Sequence, residues 1–183
     1  MKLFHIILGA TPNGRNIEQH DVFFGIAETL KDLVPAVKNF WPEAKGKIHI
    51  DCYQEVKFVD GFEIEIVERK VKEDENQLFF INLGGYQVGQ FQEFHEQFLM
   101  VGKSMSEIIK RVKQTTFYKT MGFENATSHI DDKHGVDIDD IFKVNDILPL
   151  EMKEKYSIVL KKSVAEVQEN KTAIGYLKID KLK

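Results

Sequence analysis

Residues Leu3 to Lys38 occur in this chain twice, and any fold proposed for it has to accommodate both copies. Leu3-Phe4-His5-Ile6-Ile7-Leu8-Gly9 returns 75 positions later as Leu78-Phe79-Phe80-Ile81-Asn82-Leu83-Gly84. Without a gap, the same offset carries Gly14 onto Gly89, Glu18 onto Glu93, His20 onto His95, Phe23 onto Phe98 and Val37-Lys38 onto Val112-Lys113. Eleven of the 36 positions are identical. Self-similarity at a fixed offset marks a structural module used more than once, so it takes precedence over any local reading.

Within the first copy, Leu3 to Leu8 is a continuous apolar run rich in β-branched residues and closed by Gly9, which predicts a buried strand. Thr11-Pro12-Asn13-Gly14 is turn chemistry. A second strand, over Glu18 to Ala27, is expected to form a hairpin with the first. Thr29-Leu30-Lys31-Asp32 reads as a helix start, and Ser104-Met105-Ser106-Glu107 repeats it in full capping-box form. Pro35 cannot donate from a helix interior, so it predicts either a distorted first turn or a later start. The apolar face would be Leu30, Leu33, Val34, Val37 and Trp41, matched by Met105, Ile108, Ile109 and Val112.

Lys47 to Asp51 alternates as a half-buried strand, and Asp60-Gly61 joins Glu55–Val59 to Phe62–Val67 as the strongest hairpin signal in the chain. Charged residues Glu68 to Gln77 form a linker. In the second copy Ile141–Val144 and Tyr156–Leu160 are expected to make the matching hairpin around Asp146–Lys155. Ala173 to Ile179 is expected to form one extra strand. The fold class is therefore α+β: tandem duplicated ββαββ repeats forming a pseudo-twofold, mostly antiparallel sheet assembly with one main helix per repeat. Residues 1–74 would be the first repeat with its linker, 75–162 a divergent second repeat, and 163–183 a C-terminal extension.

A net charge of −4 gives no reason to expect nucleic acid or an anionic membrane as partner. A single cysteine, Cys52, excludes an intrachain disulfide and fits a reducing compartment. The apolar N-terminal run is too short for a signal peptide or a membrane span. These features predict a cytoplasmic protein whose partner is a small molecule or another protein, acting as a monomer or a homodimer.

The stretches "LGATPNGRNIEQHDVFFG" and "GKIHIDCYQEVKFVDGFEIEIV", within residues 2 to 67, resemble the DUF1543 family. This is a bacterial family of unknown function whose short domain occurs in one or two copies. The second copy departs from the pattern, lacking the Pro-Asn-Gly turn and carrying Gln90 where the first has Arg15. The resemblance implies architecture and a bacterial source, and brings no catalytic residues with it.

Chemistry, if the chain carries any, concentrates in two His/carboxylate pairs. Glu18 and His20 are two apart, as are His49 and Asp51, and residues i and i+2 of a strand share a face. The set recurs as Glu93, His95, His129 and Asp131. Two histidines and two carboxylates suit Zn²⁺, Fe²⁺ or Mn²⁺, or acid–base work. Because such spacing is a generic signal, the structural role is preferred, with His20 and His95 each anchoring its long loop by hydrogen bonds. No cofactor is indicated by any motif. Gly9 to Gly14 and Gly84 to Gly89 follow strands without matching a phosphate-binding loop, so turn geometry explains Gly9, Gly14, Gly84 and Gly89. Strict alternation would point Cys52 away from His49 and Asp51. The acidic loop from Asp131 to Asp140 lacks the ligand order of a calcium-binding loop. The best reading is a ligand- or protein-binding or structural tandem-repeat domain; the rival is a metal-dependent enzyme using the Glu/His and His/Asp pairs.

Overall fold

The computed structural model describes residues 1–68, 75–124, 129–130, 140–164 and 169–182. In chain order these form β1 (Lys2–Ala10), β2 (Gln19–Ala27), α1 (Val34–Phe40), β3 (Ile48–Glu55), β4 (Phe58–Val59), β5 (Phe62–Val67), β6 (Gln77–Gly85), β7 (Phe94–Gly102), α2 (Met105–Val112), α3 (Thr116–Thr120), β8 (His129–Ile130), β9 (Ile141–Lys143), α4 (Val144–Ile147), α5 (Leu150–Lys155), β10 (Ser157–Lys162) and β11 (Thr172–Lys178). Every strand pair among them is antiparallel, and the class is α+β. The chain falls into two compact units, Met1–Lys72 with Ile147–Lys183, and Glu73–Asp146.

In the first unit the larger sheet runs β11-β3-β1-β2. Alternation along β1 sends Phe4, Ile6, Leu8 and Ala10 into one core with Phe23, Leu33, Val37, Ile48 and Ile50. Thr29 donates to Asp32 Oδ2 from both its backbone N–H (3.0 Å) and its hydroxyl (2.7 Å). The turn that follows, Leu30–Leu33, is a 3₁₀ helix; α1 begins only at Val34 and has Pro35 in its first turn. Pro35 thus sits where its missing donor costs nothing, and the helix starts later than its cap suggests.

A second sheet in this unit runs β10-β5-β4. The Asp60-Gly61 hairpin forms as expected, with φ of 52° and 77° at the two turn residues. Asn170 clasps its outer strand: Lys57 N–H (2.7 Å) and Phe58 N–H (3.0 Å) donate to its Oδ1, and its Nδ2 donates to the Phe58 carbonyl at 2.8 Å.

The second unit holds one sheet, β7-β6-β8 with β9 also on β6. Its core joins Phe79, Ile81 and Leu83 of β6 to Ile108 and Val112 of α2 and Ile141 of β9. Ser104 caps α2, its hydroxyl accepting from Glu107 N–H at 3.2 Å while the Glu107 carboxylate accepts from Lys103 N–H at 2.9 Å. Met105, expected on the buried face, is 41% exposed. Phe117 and Tyr118 pack against the core.

The hairpin expected between Ile141–Val144 and Tyr156–Leu160 does not form. Ile141–Lys143 pairs with β6, whereas Ser157–Lys162 pairs with β5. Each strand goes where its apolar side chain is buried: Ile141 lies in the β6 core, and Leu160 stands opposite Ile64. The stretch expected to be their turn instead includes α4 and α5. The extra strand near the C-terminus does form, as β11, and it pairs with β3. Most of the expected linker, residues 69–74, and the acidic loop, residues 131–139, lie outside the described residues.

Candidate functional site: a histidine–carboxylate cluster over Gly9

Three strands set the geometry. Gly9 of β1 is paired directly with His20 on β2 and with His49 on β3, so the two histidines flank a glycine in one cross-strand row. With no side chain between them, both imidazoles approach the same two carboxylates. A Cβ built on Gly9 would lie only 2.3 Å from His49 Nε2 and 2.6 Å from Asp51 Oδ2. That close approach, rather than backbone freedom, is why glycine stands here.

Glu18 and Asp51 complete the cluster. His49 Nε2 lies 3.2 Å from Glu18 Oε1 and 3.2 Å from Asp51 Oδ1. His20 Nε2 lies 3.4 Å from Asp51 Oδ2 and 3.5 Å from Glu18 Oε2. Each ring nitrogen therefore stands between oxygens of two different carboxylates. Yet His49 Nε2 and Asp51 Oδ2 are buried without making a hydrogen bond. Three of the four contacts, those through these two atoms, are close approaches and not hydrogen bonds. His49 and Asp51 form the inner half, with side chains 9% and 30% exposed; Glu18 and His20 form the open half, at 43% and 53%. The expectation that His20 anchors its loop through a buried hydrogen bond does not fit a side chain this exposed. Among the described residues no group of three or more His, Cys, Asp or Glu side chains is placed so that it could hold a metal ion.

Asp51 reaches the cluster through a bulge. Leu8 pairs with Ile50 and Ile7 with Cys52, so one step along β1 is matched by two along β3 and Asp51 is the extra residue. The bulge also corrects the expectation for Cys52: by register it shares a face with Ile7, Gly9 and His49. Burial, and then the charge of Asp51, push its thiol up against a smaller lowering effect from a backbone hydrogen bond with Ile7, away from a ready nucleophile.

On its other side β3 meets β11, which is irregular at the same level. Ile174 pairs with Cys52 and Leu177 with Ile50, leaving Gly175 and Tyr176 opposite Asp51, with Gly175 at φ +133°. Tyr176 thereby lays its ring on His49, with centroids 4.3 Å apart. Sequence reasoning missed Tyr176, because nothing local says which strand β11 joins. It also passed over His5, one of the next such rows along β1: the ring stacks on Phe24 at 4.7 Å, and its Nδ1 is 3.0 Å from Gln54 Nε2.

In the second unit the backbone repeats the row. Gly84 pairs with His95 and with His129, and the β6–β7 register equals that of β1–β2 at the offset of 75 throughout. His95 and Glu93 are exposed. The side chain of His129 and all of Asp131 lie outside the described residues. The two hairpin loops also turn alike: Arg15 N–H donates to the Pro12 carbonyl and Gln90 N–H to that of Gln87, with Gly14 at φ +84° and Gly89 at φ +78°. Positive φ at Gly14 is what Asn-Gly after proline predicts.

A cleft of about 290 Å³ lies elsewhere in the first unit, lined by Lys2, Glu55 and Lys57 among others. These three charges are paired with one another, Glu55 lying 3.1 Å from both lysines. The described helices include none long and apolar enough to cross a membrane.

Comparison with known proteins finds a family match to part of the chain and a similar fold. No curated protein matches the chain. Among solved structures, the crystal structure of a protein Il1583 from Idiomarina loihiensis is similar, with a TM-score of 0.57 and 19% identity over 97% of each chain. That likeness speaks to the fold alone. The family model described as Domain of Unknown Function (DUF1543) matches residues 15–66, the segment that holds all four cluster residues. Through that segment, and over that segment alone, the chain is similar to the DUF1543 family.

Proposed function

We propose that this chain is a ligand-binding domain whose binding groups are Glu18, His20, His49 and Asp51. One observation carries the reading: a nine-tenths-buried imidazole, His49, turns an unbonded ring nitrogen toward two carboxylates that it approaches without hydrogen bonding. Buried polar atoms in a purely structural cluster are hydrogen-bonded, and exceptions call for a partner from outside the chain. The open half of the cluster, Glu18 and His20, gives such a partner a way in. The chain is further read as two copies of one unit, supported by the eleven identities and by the shared hairpin register. A bacterial origin and a cytoplasmic location fit the family resemblance and the single cysteine.

A second reading has the cluster serving the fold alone, and the burial of His49 under Tyr176 favours it. The Glu18→Gln/His20→Ala variant separates the two. On the binding reading both side chains are exposed and their loss leaves stability within about 0.5 kcal/mol of the parent, as surface changes do. On the structural reading, taking both partners away from the buried His49 and Asp51 costs about 1–3 kcal/mol. Urea unfolding of the two proteins in the presence of chelator decides between them.

A further inference from the structure

Resting on that reading of the cluster as a binding site, we propose that its ligand is a divalent transition-metal ion, of which Zn²⁺ is the best fit. The donor set comes first. Two imidazole nitrogens with two carboxylates favour a first-row ion such as Zn²⁺ over Mg²⁺ or Ca²⁺, which take oxygen ligands. With both imidazoles neutral the four groups carry a formal charge of −2, equal and opposite to that of the ion.

Spacing is the second argument. Bonds of about 2.0–2.2 Å to Zn²⁺ in tetrahedral array place neighbouring donor atoms about 3.3–3.6 Å apart. The four N···O separations are 3.2, 3.2, 3.4 and 3.5 Å, close to that range, but each histidine approaches a different oxygen of each carboxylate, so one oxygen of Glu18 and one of Asp51 must turn to serve both rings. A hydrogen-bonded ring of the same groups would instead direct each N–H at one oxygen. Here His49 Nε2 is bonded to neither of the two oxygens it lies between.

The surroundings fit the same use. Gly9 removes the one side chain that would occupy the space of the ring nitrogen. Tyr176 fixes the plane of His49, as an outer contact orients a metal-binding imidazole. The bulge at Asp51 swings a carboxylate into the row. As they stand, the described residues include no group placed to hold a metal ion. Binding therefore requires the exposed side chains of Glu18 and His20 to rearrange onto His49 and Asp51, which the sheet holds.

The test titrates ZnCl₂, and MgCl₂ as control, into metal-stripped parent, Glu18→Gln/His20→Ala and His49→Ala. Calorimetry reads affinity, and elemental analysis after desalting reads stoichiometry. The parent is expected to take up one more equivalent of Zn²⁺ than either variant, or to bind it at least tenfold more tightly, with no comparable response to Mg²⁺. Because the count is a difference, any contribution from the His95–Gly84–His129 row cancels. Equal Zn²⁺ uptake and affinity in the parent and the double variant overturns the metal assignment and leaves the binding reading standing. A clearly lower unfolding midpoint of the double variant in chelator overturns the binding reading itself, and the metal assignment with it.

Discussion

Replacing Gly9 with alanine adds a single methyl group to the floor of the cluster, and the consequence can be worked through. The new Cβ lies 2.3 Å from His49 Nε2, 2.6 Å from Asp51 Oδ2 and 2.9 Å from His49 Cε1, where ordinary contact begins at 3.4 Å. The imidazole must therefore retreat by about 1.1 Å, the difference between 3.4 and 2.3. Its path is obstructed, since Tyr176 lies on the ring and His49 is only 7% exposed. Gly9 is not among the positive-φ residues, so alanine meets no backbone penalty and the cost is steric. Overpacking of this kind costs about 1–3 kcal/mol. At roughly 2–4 °C per kcal/mol for a chain of this length, Tm falls by about 2–12 °C. The informative assay is a double-mutant cycle in thermal and urea unfolding with Gly9→Ala, His49→Ala and the pair. If the collision is with the imidazole, Gly9→Ala costs less than half as much once His49 is alanine, a coupling of about 0.5–3 kcal/mol. A Tm for Gly9→Ala within about 1 °C of the parent, or the same cost in both backgrounds, refutes the packing described at this row.

Gly14→Ala tests a different penalty: nothing lies within 4 Å of its Cβ, but φ is +84°, so the loss is conformational, roughly 1 kcal/mol in urea unfolding. Asn170→Ala removes three hydrogen bonds to Lys57 and Phe58 and leaves their backbone groups to be satisfied elsewhere; the same assay should show a loss of about 1–3 kcal/mol. Burial on its own raises the Glu55 carboxyl, but hydrogen bonds and charges from Lys2 and Lys57 outweigh it and hold it below the ordinary 4.5. A carboxyl lowered by folding adds stability that is present above its unfolded value and lost as pH falls through its native value. Glu55→Gln is therefore expected to be less stable than the parent at pH 7, with the gap closing below about pH 4.5, as urea midpoints at the two ends of that range will show.

What the sequence made legible was local. A strand, an Asn-Gly turn and a second strand identify the β1–β2 hairpin, because pattern and turn chemistry sit within 27 residues. Asp60-Gly61 needs two positive φ values and has them. Pro35 foretells a delayed helix, because its missing donor is tolerated only in the first turn. The convergence of Glu18, His20, His49 and Asp51 was half legible: i and i+2 spacing puts each pair on one face, but only the strand order β3-β1-β2 brings the pairs together. What stayed hidden was non-local. Leu160 has as good an apolar pattern for pairing with Ile141 as with Ile64, and only burial chooses between them. Alternation fails at Cys52 because a bulge inserts one residue, and no residue type announces it. Tyr176 meets His49 from 127 positions away in sequence, 176 less 49, through a strand whose partner no motif names.

The first unit is interrupted in the chain, and this has a temporal consequence. β5 ends at Val67 and its partner β10 begins at Ser157, 90 residues later. At roughly 5–20 residues per second on a ribosome, that is a wait of about 5–18 s. Throughout it β5 and β3 each keep one edge open, a template on which any other strand can pair. Residues 73–146, by contrast, are complete before either missing strand exists. The contiguous unit can therefore fold first and the divided one last. His49 goes uncovered until β11 has been made and Tyr176 settles on its ring.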